Sequence, residues 1–273
     1  GTEGPKSSYG TWGFNLTAFS GITYLWNHPE QDRPIGSQGV YPDHLGFVLG
    51  PTMMIAALLN SRRSGKGVTI DLAQIEGTAA VLGTTYLEAS VNGDDPKPRG
   101  NHYALAAPHG VYRCQGEDRW CVISVRDGGE WQSFCRVIGR GELVSDARFT
   151  TLQSRLSNRA DLDAIVKEWT AARPAEEIMT RCQAAGVPAS VVQTGADLLQ
   201  DPQLRHRNYF SPFPESLIGP FEIPRSGFVF KGVPEDPLKL PARLGSDNEQ
   251  ILGELLGYDK ATIEQWRQEE VLT

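Results

Sequence analysis

Pro42-Asp43-His44-Leu45-Gly46-Phe47-Val48-Leu49-Gly50-Pro51-Thr52-Met53-Met54-Ile55-Ala56-Ala57-Leu58-Leu59-Asn60-Ser61-Arg62-Arg63-Ser64-Gly65-Lys66-Gly67 is the stretch on which the fold assignment turns. An acidic residue after a proline opens a long apolar run, which is the signature of a helix N-terminus. Two arginines and Gly65 close it, as the negative end of the helix dipole and a left-handed C-terminal glycine favour. The apolar run from Leu45 to Leu59 is broken by Gly46, Gly50 and Pro51, and it falls short of bilayer length. Local sequence leaves two compatible readings of Asp43. It can cap the helix. It can also be a carboxylate aimed by the helix N-terminus, able to attack an activated acyl group covalently.

Working outward, residues 11–26 hold Trp12, Phe14, Leu16, Phe19, Ile22, Leu25 and Trp26 at spacings that predict a helix packed on one face. Residues 27–42 are rich in Pro, Gly and Asn and read as a loop. Downstream, Val68-Thr69-Ile70-Asp71-Leu72 alternates like a strand, and Gln74 to Asn92 reads as a helix. Asp94-Asp95-Pro96-Lys97-Pro98-Arg99-Gly100 is a linker signal. Beyond it, strands are expected near 110–114 and 119–126, and helices over 131–138, 158–169 and 175–185. Gly186-Val187-Pro188 then turns into a strand through Val192. Seven prolines between Pro212 and Pro241 rule out a helix there and predict extended chain. Closing helices are expected over 247–256 and 260–270. The fold class is α/β, with a large-domain segment over 1–95, a small domain over 96–211, and a returning linker with closing helices over 212–273.

Composition narrows the function. The 273 residues are 40% hydrophobic, ordinary for a soluble globular protein, and carry a net charge of −7. That balance, with no basic stripe, argues against nucleic-acid binding and against an anionic membrane surface. The four cysteines form no C-x-x-C pair, which predicts reduced core thiols and a cytoplasmic setting. No H-x-x-x-H or H-E-x-x-H spacing exists among the five histidines, so no metal is expected. Gly65-Lys66-Gly67 lacks the spacing of a phosphate loop, no G-x-G-x-x-G follows a strand, and no G-x-S-x-G appears. His109-Gly110, between Pro108 and a strand, is open to two readings: a domain-entry turn or a substrate-facing loop.

Taken in order, these segments resemble the class III coenzyme A transferases, the CaiB/BaiF-like family of carnitine and formyl-CoA transferases. Gly4-Pro5, Gly13-Phe14-Asn15 and Ser20-Gly21 look like that family's GP, GFD and SG landmarks. Ala57-Leu58-Leu59 through Arg62-Arg63-Ser64-Gly65-Lys66-Gly67 is close to its AL, R and TGKG pattern. Pro108-His109-Gly110-Val111-Tyr112, Asp146-Ala147-Arg148-Phe149, Gly186-Val187-Pro188-Ala189, Asp201-Pro202-Gln203-Leu204 and Glu254-Leu255-Leu256-Gly257-Tyr258 follow in family order. The resemblance implies a Rossmann-like large domain, of which this chain carries the remainder. It also implies a smaller α+β domain, long extended linkers and an interlocked dimer. It implies that Asp43 exchanges coenzyme A between acyl-CoA and a carboxylic acid through aspartyl anhydride and aspartyl-CoA thioester intermediates, with His109 and Gly110 facing substrate.

Three departures qualify that implication. The family's N-terminal nucleotide-binding half, which holds most of the CoA contacts, is not matched. Its counterpart is expected on a preceding segment or another chain, so that this chain either forms a homodimer or associates with that half. Residues 101–110 are not a glycine run, which points away from formate or oxalate and toward succinyl-CoA as donor with a larger acid. Phe14 stands where related α-methylacyl-CoA racemases carry His. Racemase-like isomerisation and a non-catalytic subunit of a heteromeric transferase are the alternatives.

Overall fold

Apolar period decides most of the elements, and packing decides where they break. The computed structural model describes residues 1–36, 39–213, 219–233 and 242–272. Two compact units emerge, Gly1–Val192 and Gln193–Thr273. The three segments expected from the sequence divide the chain elsewhere, after 95 and after 211.

The first unit opens with helices α1 (Gly13–Phe19) and α2 (Ile22–Leu25). The single helix expected over 11–26 is therefore two. Gly21, at φ 85°, takes the left-handed backbone that separates them. Helix α3 (Tyr41–Ser64) is 24 residues long, with Pro42 in its first turn and Gly65 as a left-handed C-cap. Its terminal arginines, Arg62 and Arg63, lie in the last turn as expected. The helix is also longer than the apolar run suggests. By length and composition alone it could cross a membrane, with mean hydropathy 1.3 over its best window, which corrects the estimate made from Leu45 to Leu59.

Residues 65–73 contain no strand, which corrects the expectation for Val68 to Leu72. The alternation is real, but no described segment offers it a ladder. Thr2 reaches this segment instead, donating from its backbone N–H (3.1 Å) and hydroxyl (2.8 Å) to one carboxylate oxygen of Asp71. The helix expected over 74–92 is divided into α4 (Gln74–Val81) and α5 (Gly83–Asn92), with the break at Leu82. Among the described residues of 1–95 there are helices and irregular chain only.

The core lies further along. Strands β1 (His109–Arg113), β2 (Trp120–Ser124) and β3 (Ala189–Val191) form an antiparallel sheet in the order β1-β2-β3. Helices α6 (Gly128–Ile138), α7 (Leu152–Ser157), α8 (Arg159–Ala171) and α9 (Ala175–Ala184) complete this part. Tyr112, Cys121 and Ile123 point from the sheet into a cluster with Trp131, Phe134, Phe149, Leu162, Val166 and Ile178. Arg155 is buried beside it, with no carboxylate hydrogen-bonded to it among the described residues. Its Nε donates to the Ala107 carbonyl at 2.7 Å, one Nη donates to the Phe149 carbonyl at 3.3 Å, and its guanidinium lies 5.0 Å from the Trp131 ring centroid.

The second unit holds α10 (Gly195–Gln200), α11 (Pro202–His206), the antiparallel pair β4 (Phe210–Phe213) and β5 (Phe221–Pro224), a π-helical segment over Glu249–Leu255, and α12 (Lys260–Gln268). The described part of the proline-rich segment is non-helical, as its prolines require. The rest of it, 214–218 and 234–241, lies outside the described residues. The closing helix expected over 247–256 is the π-helical segment.

Candidate active site

Asp43 is the third residue of α3, after the N-cap Val40. It does not cap the helix with its side chain, which corrects the capping reading; no side-chain cap bond is made at this N-terminus. One carboxylate oxygen, Oδ1, accepts a hydrogen bond from Gln74 Nε2 at 2.9 Å instead. Gln74 is the first residue of α4, and α4 packs against α3. Asp43 is half-buried in the first turn of α3, at the end of the helix where the dipole favours negative charge.

Two glycines make the arrangement possible. A Cβ on Gly13 would lie 2.5 Å from Asp43 Oδ2 and 2.5 Å from Val40 Cγ1, so α1 approaches the carboxylate only with glycine there. A Cβ on Gly46 would lie 3.1 Å from Gln74 Nε2 and 3.3 Å from its Cγ. The Gln74 side chain thus lies along the first turns of α3 in the space that Gly46 leaves. Phe14, next to Gly13, is 61% exposed and carries no group able to move a proton. The sequence marks Asp43 and the Gly13 landmark. Nothing in it marks Gln74, whose partner is 31 residues away.

His109 and Gly110 are the first residues of β1. Register sets His109 opposite Ser124. Its Nδ1 sits 2.9 Å from the Ser124 hydroxyl, and its ring lies 5.4 Å from that of Tyr103. Burial holds its pKa below the ordinary 6.5, and the electrostatic influence of the neighbouring Arg159 and His102 side chains adds to that. Both residues line a cleft of about 450 Å³, with Val111, Val122 and Ser190 among its other walls. Asp43 is not among those walls, and the hydrogen bonds of Asp43 and His109 run to different partners.

Cys114, Cys121, Cys135 and Cys182 are free and buried, as expected. Burial raises all four thiols, Cys135 to about 12 and Cys182 to about 11, which makes them poor nucleophiles. Among the described residues, no group of three His, Cys, Asp or Glu side chains is placed to hold a metal ion.

Comparison with known proteins assigns the family. The family model described as CoA-transferase family III matches residues 1–248. The probable CoA-transferase Rv1866 of Mycobacterium tuberculosis is 32% identical over the whole of this chain, which spans 35% of that protein. Succinyl-CoA–D-citramalate CoA-transferase of Chloroflexus aurantiacus is 28% identical over 94% of this chain and 63% of its own length. A CaiB/BaiF family protein from Brucella suis has a similar structure, with TM-score 0.81 at 25% identity, covering 93% of this chain and 65% of that one. The chain therefore spans between 35% and 65% of the length of these proteins. The chain belongs to CoA-transferase family III.

Proposed function

We propose that this chain carries the nucleophile of an enzyme that moves coenzyme A from an acyl-CoA to a carboxylic acid, and that Asp43 is that nucleophile. The observation that carries the reading is the held carboxylate: Oδ1 tied to Gln74 and Oδ2 left over the side-chain-free Gly13. Asp43 Oδ2 attacks the thioester carbonyl of the donor. The C–S bond breaks, CoA leaves as thiolate, and an acyl-aspartyl anhydride forms. The thiolate then attacks Asp43 Cγ and expels the donor acid, leaving an aspartyl-CoA thioester. The acceptor carboxylate repeats both steps in reverse. Two poor reaction partners thereby exchange CoA through intermediates of comparable reactivity.

Succinyl-CoA is the proposed donor, on the strength of the Chloroflexus relative named above. His109 and Gly110 are proposed to face the acid, since the cleft beside them mixes an apolar wall with His109 and Ser124. CoA contacts are proposed to come largely from protein beyond residues 1–273, whether a segment of the same chain or another subunit. Exposed apolar side chains along α3 support this, among them Phe47, Met54 and Leu58.

The decisive experiment uses the full-length protein incubated with acyl-CoA and trapped with hydroxylamine. Modification is expected at Asp43 by peptide mass spectrometry, and Asp43→Asn is expected to abolish both trapping and CoA transfer while the melting temperature holds. Turnover by Asp43→Asn at the wild-type rate would refute the assignment. The isomerase alternative predicts deuterium uptake at the acyl α-carbon without acid exchange, and Phe14 gives it no base.

A further inference from the structure

Resting on Asp43 as nucleophile, we infer that Gln74 is a catalytic residue that stabilises the oxyanion formed on Asp43 itself. The argument follows the two carboxylate oxygens. Oδ1 accepts from the Gln74 amide at 2.9 Å, and Oδ2 lies over Gly13. A carboxylate only accepts hydrogen bonds, so the Gln74 amide presents its NH₂ end to it. With Oδ1 held in this way, Oδ2 is assigned as the attacking oxygen, and it becomes the bridging oxygen of the anhydride.

In the next step the CoA thiolate adds to Cγ. A Cγ–S bond forms, and the carbonyl electron pair moves onto Oδ1. That negative charge develops on the oxygen that Gln74 already touches. Collapse re-forms the Cγ–Oδ1 double bond and breaks Cγ–Oδ2, so Oδ2 leaves with the donor acid as its carboxylate. No proton, oxidant or further reactant is needed. A donor 2.9 Å from Oδ1 is within the range required of a group that stabilises an oxyanion there. Attack by an acceptor carboxylate on the aspartyl-CoA thioester passes through an oxyanion at the same atom, so Gln74 serves the exchange in both directions.

The site is built for this contact. Gln74 starts α4, where the helix holds its backbone, and Gly46 clears the path of its side chain along α3. Gly77, on the same helix, lets α4 close on α3: a Cβ there would meet Leu49 Cδ1 at 3.2 Å. Ion pairing takes no part, because Gln74 is neutral and therefore does not quench the nucleophile as a lysine or arginine would.

The test compares wild type, Gln74→Met, Gln74→Glu and Asp43→Asn in the full-length protein. Acetyl-, propionyl- and succinyl-CoA are screened first, and the one that labels wild-type Asp43 most is used throughout. Rapid-quench intact-mass analysis follows the anhydride and the aspartyl-CoA thioester separately. For Gln74→Met we expect kcat to fall about 10²-fold, the scale for losing one oxyanion donor, with KM for acyl-CoA little changed. The trapped species should shift from thioester toward anhydride. Gln74→Glu keeps the shape but sets a second carboxylate against Asp43, so it should fall at least as far; the readout that a merely structural role would not move is the shift between the two trapped species. Gln74→Met should melt with wild type, because Gln74 is only half-buried. Wild-type kcat and wild-type partition between the two species in either variant, with Asp43→Asn inactive, overturn the role of Gln74 alone. Failure of every acyl-CoA to label wild-type Asp43 overturns the nucleophile and Gln74 together.

Discussion

At Gly13 a single methyl group decides whether the carboxylate can stay where it is. The added carbon would sit 2.5 Å from Asp43 Oδ2, far inside contact distance. Gly13→Ala must therefore displace the carboxylate, Val40 or the start of α1. Overpacking of this kind costs about 1–3 kcal/mol of stability. Misplacing a reacting atom by about 1 Å can lower the rate about 10²-fold. The expected outcome is a folded protein with a modestly lowered melting temperature and a much larger loss of kcat. Equal activity of Gly13→Ala and wild type would show that Oδ2 has room to spare. A second residue-scale effect concerns His109. Its folded-state pKa is lowered, so the unfolded chain binds more protons as the pH drops below 6.5. Stability contributed by the neutral ring is then present above pH 6.5 and lost as pH falls through the lowered value. His109→Asn should flatten this part of the urea-midpoint profile between neutral and mildly acid pH. An unchanged slope would place the titrating group elsewhere.

Among the elements, α6 shows how capping and periodicity share the work. Its start is fixed by Asp127, whose Oδ1 accepts from the Glu130 N–H at 2.9 Å, while the Glu130 carboxylate accepts from the Arg126 N–H at 2.7 Å. Asp127→Ala should cost about 1 kcal/mol, readable as a lowered urea midpoint with unchanged slope. Full stability after the substitution would mean that packing of Trp131 and Phe134 alone sets the helix start. The apolar spacing of Trp131, Phe134, Cys135 and Ile138 made the body of this helix legible, whereas Gly128 and Gly129 hid its first turn. The same logic accounts for the misread elements. Alternation in Val68 to Leu72 records two faces, yet a strand also needs a neighbour, and no local signal supplies one. The break at Leu82 between α4 and α5 is followed by Gly83, whose weak helix preference is a permissive cue rather than a stop. Asp43 stood out because the helix start is written around it. Gln74 did not, because its role depends on α4 folding back on α3 and on the space at Gly46, neither of which has a sequence signature.

At the scale of the whole molecule, α3 carries the proposed nucleophile at one end and an unburied apolar surface along its length. Phe47, Met54 and Leu58 recur at helical spacing, as do Val48, Ile55 and Leu59, and all six are exposed, Phe47 by 77%. Exposed stripes of that extent mark surfaces that something else covers. The chain also spans only 35% of its Mycobacterium tuberculosis relative, so the proposed cover is protein outside residues 1–273. Produced as residues 1–273 by themselves, the chain should bind a hydrophobic dye such as ANS strongly and show a mass that rises with concentration. Met54→Lys with Leu58→Lys, both away from Asp43 and Gln74 in sequence, should lower dye binding and reduce association. The same pair in the full-length protein should instead be destabilising, because there the lysines would be buried against apolar partners and burying an unpaired charge is costly. That reversal of sign is the discriminating measurement. If the double substitution leaves full-length stability unchanged, α3 faces solvent in the working enzyme and the surface proposed to complete the CoA site lies elsewhere.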